Sequence, residues 1–248
     1  MKQINHSHAD TGAHGHTRLN VLIACEESQA ECQAFRELGH NAFSCDIQKC
    51  RINPDWHIQD DVTPYLQGKT TFITQSGVLL SVPNWDLIIC HPPCTYLCKV
   101  SSVHMISHKA IEPEGDSWYF SLHFDCWLNL DRYRKMRQAR AFFMQCINAS
   151  APYVAVENPL PMAMTKLPKP SCYACPSWFG VKYTKKTLYW LKNLPPIVAQ
   201  LEYPNPKEFV KASRGKYRSR TFPQLARAIA TQWSAYILDD LASTPVSS

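Results

Sequence analysis

The sequence predicts an α/β fold in which helices cover both faces of a mostly parallel sheet. Three short apolar runs, at residues 21–24, 87–89 and 153–156, have the continuous hydrophobicity of strands that are buried on both sides. Residues 26–38 and 130–148 carry apolar residues at helical spacing. Strands that alternate with helices indicate βαβ units, and such units give parallel pairing.

Signals at the ends of the predicted elements support this assignment. Gly39 follows the first helix, where a C-terminal cap belongs, and Pro223 lies in the first turn of the last helix. The predicted elements are a strand at residues 21–24, a helix at 26–38, strands at 41–45 and 85–90, a helix at 130–148, a strand at 153–156 and a helix from about residue 221.

Two long segments follow directly on strand ends. Residues 95–129 and 160–185 are rich in Pro, Ser, His, Trp and Cys, and we expect functional loops there because open α/β sheets bind ligands outside the carboxyl ends of their strands. We expect one domain over residues 19–240, within which 160–215 is the candidate for a small substrate-recognition insert. The termini are predicted to be tails, disordered and histidine-containing at 1–18 and flexible at 241–248.

The composition excludes several classes of protein. None of the apolar runs in the 248 residues reaches the roughly eighteen residues of a membrane span, and no apolar segment near the N-terminus suggests a secretory signal. We therefore expect no membrane partner. The eleven cysteines, several of them in apolar runs, indicate reduced thiols in a cytoplasmic protein. Cys172 and Cys175 form the only Cys-x-x-Cys pair, so we expect no metal site.

Basic residues are clustered along the chain, whose net charge is +6. Such clusters suit a polyanionic partner, although solvated faces balanced by acidic residues elsewhere account for the same pattern. The three clusters are Arg132, Arg134, Lys135, Arg137 and Arg140; Lys182, Lys185 and Lys186; and Lys207, Lys211, Arg214, Lys216, Arg218 and Arg220.

The clearest local motif is a buried strand that runs directly into His91-Pro92-Pro93-Cys94. Proline fixes φ and restricts the residue before it, so the double proline makes a stiff turn that holds Cys94 in a defined direction. A thiolate held in this way could attack C6 of a cytosine ring. An ordinary cysteine in a rigid loop would give the same motif.

A second polar motif, Glu157-Asn158-Pro159, follows the predicted strand at residues 153–156. A carboxyl group at this position could contact the N3 and amino edge of a cytosine and favour protonation of the ring while a thiolate adds to it. The alternative is a strand-terminal glutamate that caps a turn.

Together the two motifs resemble those of the DNA cytosine-5 methyltransferases, in which Pro-Pro-Cys follows one strand and Glu-Asn follows the next. The resemblance implies a Rossmann-like, class I methyltransferase fold, with Cys94 as the nucleophile and Glu157 as the assisting acid. It also implies S-adenosylmethionine as the cofactor and DNA as the substrate. Over residues 19–238 the chain is similar to short bacteriophage proteins of the cytosine-methyltransferase type.

The resemblance implies roles for further residues. Arg218 and Arg220 resemble the Arg-x-Arg element that supports the catalytic loop, and they are included among the catalytic residues. Asp46 lies where an acid binds the cofactor ribose, and residues 60–62 resemble the Gly-Asp-Ile segment after the third strand. The implied cofactor-binding residues are Ala24, Glu26, Asp46, Asp61 and Pro92, and the implied substrate-binding residues are His91, Pro93, Asn158, Lys185 and Lys186.

The first loop departs from the family pattern. The family has Phe-x-Gly-x-Gly after the first strand, whereas residues 24–29 contain no glycine, and His91 stands where glycine is usual. Two alternatives to DNA methylation therefore stay open. One is modification of free pyrimidine nucleotides or altered bases, and the other is a non-catalytic nucleic-acid-binding or inhibitory protein on a degenerate methyltransferase fold.

Overall fold

A computed structural model describes residues 18–182, 185–201 and 221–243 of the chain. The strands are β1 (Asn20–Ala24), β2 (Asn41–Asp46), β3 (His57–Gln59), β4 (Thr71–Ile73), β5 (Leu79–Ser81), β6 (Leu87–Cys90), β7 (Ile106–His108), β8 (Trp118–Ser121), β9 (Cys126–Asn129), β10 (Tyr153–Asn158), β11 (Cys172–Ala174) and β12 (Thr187–Lys192). The helices are α1 (Ala30–Glu37), α2 (Thr63–Leu66), α3 (Leu130–Ile147) and α4 (Pro223–Ser243).

Seven strands form one mixed, mainly parallel sheet in the order β11-β12-β10-β6-β1-β2-β3. The five strands from β10 to β3 are parallel, while β12 pairs antiparallel with both β10 and β11. The chain moves outward from β1 to β3 and then returns to place β6 on the other side of β1. The strand order therefore reverses between β1 and β6, and open α/β sheets bind ligands at such a reversal, outside the carboxyl ends of the strands.

Helices cover both faces of this sheet, as the sequence predicts. Alternate residues of β1 point to opposite faces, so that Leu22 packs with Phe143 of α3, whereas Ile23 packs with Phe35 of α1 and Trp233 of α4. All five of these side chains are fully buried. Burial of each contributes about 1.5–3 kcal/mol to folding, so the two cores fix the sheet between its helices.

The ends of the helices differ in detail from the predicted ones. Gly39 has φ +88°, the left-handed conformation expected of a residue that follows a helix. α1 begins at Ala30 rather than at residue 26, because Cys25 and Gln29 take left-handed φ values of 61° and 58° and the chain between them forms a loop. α4 begins at Pro223 and continues to Ser243, into the stretch predicted to be a flexible tail.

The two segments predicted to be loops contain regular structure. Residues 95–129 include a small antiparallel sheet in the order β7-β9-β8, in which Trp127 of β9 pairs with Phe120 of β8. β11 and β12 lie within residues 160–215 and belong to the main sheet, so that part of the candidate recognition insert is core structure. None of the described helices is long and apolar enough to cross a membrane.

Candidate functional site

The carboxyl ends of β6 and β10 lie side by side, and hydrogen bonds join the chain segments that follow them. Lys99 N–H donates to the Leu160 carbonyl at 2.7 Å, and Met162 N–H donates to the Leu97 carbonyl at 2.8 Å. β6 borders the reversal of strand order between β1 and β6, and β10 is the next strand beyond it. The Pro-Pro-Cys and Glu-Asn motifs, which are distant in the sequence, therefore belong to one site.

Cys94 lies in the turn after β6, partly exposed to solvent. Its carbonyl accepts hydrogen bonds from the N–H groups of Leu97 and Cys98, each at 3.0 Å, so the backbone of the turn is fixed. Burial, Cys98 and Glu157 raise the pKa of the Cys94 thiol to about 11, and the positive charge of Lys185 opposes this rise. In the unliganded protein Cys94 is therefore a thiol, and its reaction as a nucleophile requires loss of that proton.

His91, the residue before the double proline, lies between two carboxylates. Its Nε2 is 3.0 Å from Glu31 Oε2, and its Nδ1 is 3.5 Å from Glu157 Oε2. The His91 N–H donates to the Ala24 carbonyl at 2.9 Å, which ties the turn to the end of β1. Burial alone would lower the pKa of His91, but Glu31 and Glu157 raise it well above its ordinary value. The imidazole is therefore protonated at neutral pH.

Glu157 is the penultimate residue of β10 rather than a residue after the strand. Although burial raises its pKa, the hydrogen bond from His91 and the charge of Lys185 lower it below the ordinary value, so the carboxylate is ionised. Oε2 faces His91, but Oε1 is buried without a hydrogen-bond partner in the described part of the chain. Most buried acceptors in folded proteins have a hydrogen-bond partner, so the unpartnered Oε1 of Glu157 requires an explanation.

Asn158, the last residue of β10, is also fully buried. Its Nδ2 donates to the Pro159 carbonyl at 2.7 Å, whereas Oδ1 has no partner among the residues that the structure describes. Two consecutive residues of β10 thus each present a buried oxygen that the described protein does not satisfy.

Glu26, which is predicted to bind the cofactor, lies in the loop between β1 and α1 and contacts the start of the helix. Its carboxylate is buried and accepts hydrogen bonds from the N–H groups of Glu31 and Cys32, at 2.8 and 3.3 Å, so it caps the first turn of α1. Burial and the neighbouring Glu31 raise its pKa to about 7. A cofactor contact by Glu26 would require the helix to give up these bonds.

Asp46 and Asp61 lie near each other at the ends of β2 and β3. The pKa of the Cys25 thiol is raised mainly by burial and by Cys146, and both acids raise it further. The two acids therefore lie around the same side chain. Asp46 is half-buried, and within the described chain its only hydrogen bond comes from Gln48 N–H at 2.8 Å. Asp61 is exposed and accepts from Thr63 N–H at 2.9 Å.

The remaining predicted residues are distributed around these groups. Ala24 and Pro92 are buried and can offer only backbone and apolar contacts, while Pro93 is exposed. Lys185 acts electrostatically on Cys94 and Glu157, but Lys186 lies with Nζ 4.2 Å from the centre of the Tyr173 ring. Arg218 and Arg220 lie outside the described residues.

Sequence reasoning missed Glu31. It lies in the first turn of α1, where an acidic residue is ordinary, and only the three-dimensional structure brings it to His91. Its side chain is fully buried. Within the described ranges, no group of three or more His, Cys, Asp or Glu side chains could hold a metal ion. Two clefts of about 390 and 440 Å³ lie around Arg36 and Tyr65, and neither is lined by Cys94 or Glu157.

A comparison with models of known protein families and a search of curated proteins each gave no match to this chain.

Proposed function

We propose that the protein is an S-adenosylmethionine-dependent methyltransferase that acts on C5 of cytosine in DNA, with Cys94 as its nucleophile. One observation carries the proposal. Cys94 and Glu157 come from distant parts of the sequence, but Cys94 follows β6 and Glu157 lies near the end of β10, and these two strands are adjacent and parallel. The two side chains interact electrostatically at the carboxyl edge of the sheet. A thiol and a carboxyl group beside one another are the two groups that addition to a cytosine ring requires.

The unpartnered oxygen of Glu157 supports cytosine as the target base. Cytosine carries an amino group next to N3, and addition of sulfur to C6 is easier when N3 is protonated. Glu157 Oε1 is free to accept a hydrogen bond from this edge, and the same carboxyl group can transfer a proton to N3. Asn158 Oδ1 can accept a second hydrogen bond from the base.

The residues at the ends of β1 and β2 fit a nucleoside cofactor. Half-buried Asp46 is at the strand end where an acidic residue binds ribose hydroxyls in Rossmann-type sheets. The loop has no glycine, but Cys25 and Gln29 take the left-handed conformation that glycine adopts freely. When bound, S-adenosylmethionine supplies the methyl group. Asp46 would hold its ribose, with Asp61 beside it.

Cationic and aromatic side chains near the site fit a nucleic acid. The Arg132 guanidinium lies 5.1 Å and Lys135 Nζ 5.9 Å from the centre of the Tyr96 ring, two residues after Cys94. Lys185 adds a positive charge next to Cys94. Basic groups that alternate with aromatic rings bind phosphates and stack on bases, and a base must leave the duplex before Cys94 can reach C6.

A methyl-transfer assay tests the proposal. We expect the wild type to convert cytosine to 5-methylcytosine in duplex DNA, and Cys94→Ser to lower the rate by at least about 10³-fold, because the hydroxyl is a far weaker nucleophile than a thiolate. Cys98→Ser, four residues along the same turn, is the matched control and should retain activity.

Other results would replace the proposal. Full activity of Cys94→Ser would indicate transfer to an exocyclic amine, which needs no nucleophile. Methylation of free nucleotides but not of DNA would favour a nucleotide modifier. DNA binding by an inactive wild type would favour the non-catalytic alternative.

A further inference from the structure

A buried group of charges surrounds His91, and the reaction described above does not use all of it. Glu31 and Glu157 contact the two ring nitrogens, and Glu31 is fully buried. One oxygen of each carboxylate, Oε1 in both cases, has no partner in the described chain. The titratable groups that act on His91 or on its two carboxylate partners are Glu26 and Glu31 from the first loop and α1, Glu157 from β10, Cys94 from the turn, Lys185 before β12 and Tyr189 on β12.

Such a cluster would be a poor way to stabilise the fold. Buried ion pairs are often no better than apolar residues of the same volume, and each unpartnered carboxylate oxygen adds a desolvation penalty. The cluster lies at the end of the sheet where the turn after β6 and the end of β10 come together. Because the cluster lies beside the two proposed reacting groups, we expect it to take part in the reaction.

We propose that His91, held by Glu31, stores the proton that Glu157 delivers to the cytosine ring. The proposal rests on the proposed function and assigns His91 and Glu31 as positioning residues that act through Glu157. The contact is direct, since His91 Nδ1 lies 3.5 Å from Glu157 Oε2, while Glu157 Oε1 is buried without a partner among the described residues. A carboxylate that takes a proton from His91 on one oxygen can rotate and give this proton to the base.

The step balances without a further reactant. Cys94 loses its thiol proton to water, and its Sγ forms a bond to C6 of the base. Glu157, which is ionised at rest, first takes the Nδ1 proton of His91 on Oε2, and rotation of its carboxyl group brings this proton to the base. The electron pair of the C5–C6 double bond shifts toward N3, which takes that proton and returns Glu157 to its carboxylate form. The thiolate charge and the imidazolium charge are thereby both neutralised.

The return path restores the site. After C5 has received the methyl group, N3 gives its proton back through Glu157 to His91. Water then takes the proton on C5, the electron pair of the C5–H bond re-forms the C5–C6 double bond, and Cys94 Sγ departs as a thiolate that regains a proton from water. Glu31 lies 3.0 Å from His91 Nε2 and favours the protonated imidazole.

Two variants test this role through pH profiles. We expect His91→Gln to lower kcat by at least about 100-fold with little change in KM for DNA, because it removes a proton donor. In the wild type, kcat should fall as pH rises through the pKa of His91, and this alkaline limb should be absent in His91→Gln. Glu31→Gln should move the limb to lower pH by at least about one unit, because a neutral partner no longer favours the imidazolium.

An NMR titration provides a readout that does not depend on activity. The His91 ring signal, assigned by its loss in His91→Gln, should titrate well above the ordinary range in the wild type and lower in Glu31→Gln. His40→Asn is the matched control, since His40 is buried and accepts from Leu19 N–H at the opposite end of β1. The His40→Asn variant should leave the pH profile of kcat unchanged. Glu31→Gln preserves side-chain shape and tests the role even if His91→Gln fails to fold.

The outcomes separate this inference from the proposed function. If the wild type methylates DNA and His91→Gln keeps its rate within about threefold with the same alkaline limb, His91 is not the proton store although the methyltransferase stands. If the alkaline limb of the kcat profile lies at the same pH in Glu31→Gln as in the wild type, Glu31 does not support the protonated form of His91. If the wild type methylates no cytosine in DNA, the proposed function fails, and the proton-storing role fails with it.

Discussion

Buried polar side chains at the ends of β1 and β10, the two strands on either side of β6, differ in whether the protein satisfies their hydrogen bonds. In the loop after β1, the Gln29 amide makes three hydrogen bonds, donating to Ser44 Oγ and the Asn53 carbonyl and accepting from Asn53 N–H. At the end of β10, Asn158 is equally buried but leaves its Oδ1 without a partner in the described chain.

The two glutamates near these amides show the same contrast. Glu26 uses both carboxylate oxygens on the backbone of α1, whereas Glu157 keeps Oε1 free. Buried polar groups in folded proteins are normally satisfied, so an unsatisfied one requires an explanation. The first loop therefore satisfies its buried amide and carboxylate within the protein, whereas the end of β10 leaves two buried acceptors, which we propose a ligand satisfies.

Replacing each amide by alanine gives the strongest test of this contrast. Gln29→Ala should lower the free energy of unfolding by about 2–4 kcal/mol, because Ser44 and Asn53 lose buried partners. Asn158→Ala should lower it by less than about 1 kcal/mol while impairing methyl transfer, since its one described hydrogen bond goes to the adjacent residue. Urea denaturation of both variants measures the difference. Equal destabilisation would mean that Asn158 is structural.

Replacing Asp46, the last residue of β2, tests whether the cofactor binds at this part of the carboxyl edge of the sheet. Asp46→Ala should weaken S-adenosylmethionine binding about 10- to 100-fold, corresponding to the roughly 1.5–3 kcal/mol of a hydrogen bond to a charged group. Calorimetry measures the affinity, with exposed Asp55→Ala before β3 as the control. Unchanged affinity in Asp46→Ala would place the cofactor elsewhere.

Glu26 should make the stability of the first loop depend on pH. Its pKa is about 7 in the folded protein and 4.5 ordinarily, so the folded state binds the extra proton between these values. The stabilising contribution is complete below about pH 4.5 and is lost as pH rises through 7. Relative to Glu26→Gln, the wild type should lose about 2–3 kcal/mol between pH 5 and 8. A constant difference across this range would show that Glu26 remains ionised.

Local sequence patterns were sufficient for β1, β2, β6 and β10 of the main sheet, but not for β3, β11 and β12. β1, β6 and β10 are covered on both faces, so each is a continuous apolar run that needs no tertiary information to recognise. The sequence also predicted that Cys94 lies beside Glu157, because parallel strands end at the same edge of a sheet. The small sheet of residues 95–129 was missed, since its strands of three or four residues are exposed in part and too short for clear alternation.

The ion cluster could not be predicted in this way. Glu26 and Glu31 belong to a polar stretch that looks like a solvated loop and helix start, and they are buried only because α1 packs between the sheet and α4. The partner of Glu157 is His91, from a different strand end. Such pairings depend on contacts between elements, which hydrophobic periodicity does not encode.

Covalent trapping tests the central claim most directly. A duplex that contains 5-fluorocytosine should capture the wild type in the presence of S-adenosylmethionine, because fluorine at C5 cannot leave as a proton does. Mass spectrometry of the digested complex should then locate the base on the peptide that contains Cys94. Cys98→Ser should be trapped equally well and Cys94→Ser not at all. Formation of 5-methylcytosine without an adduct, or an adduct at another cysteine, would contradict the account.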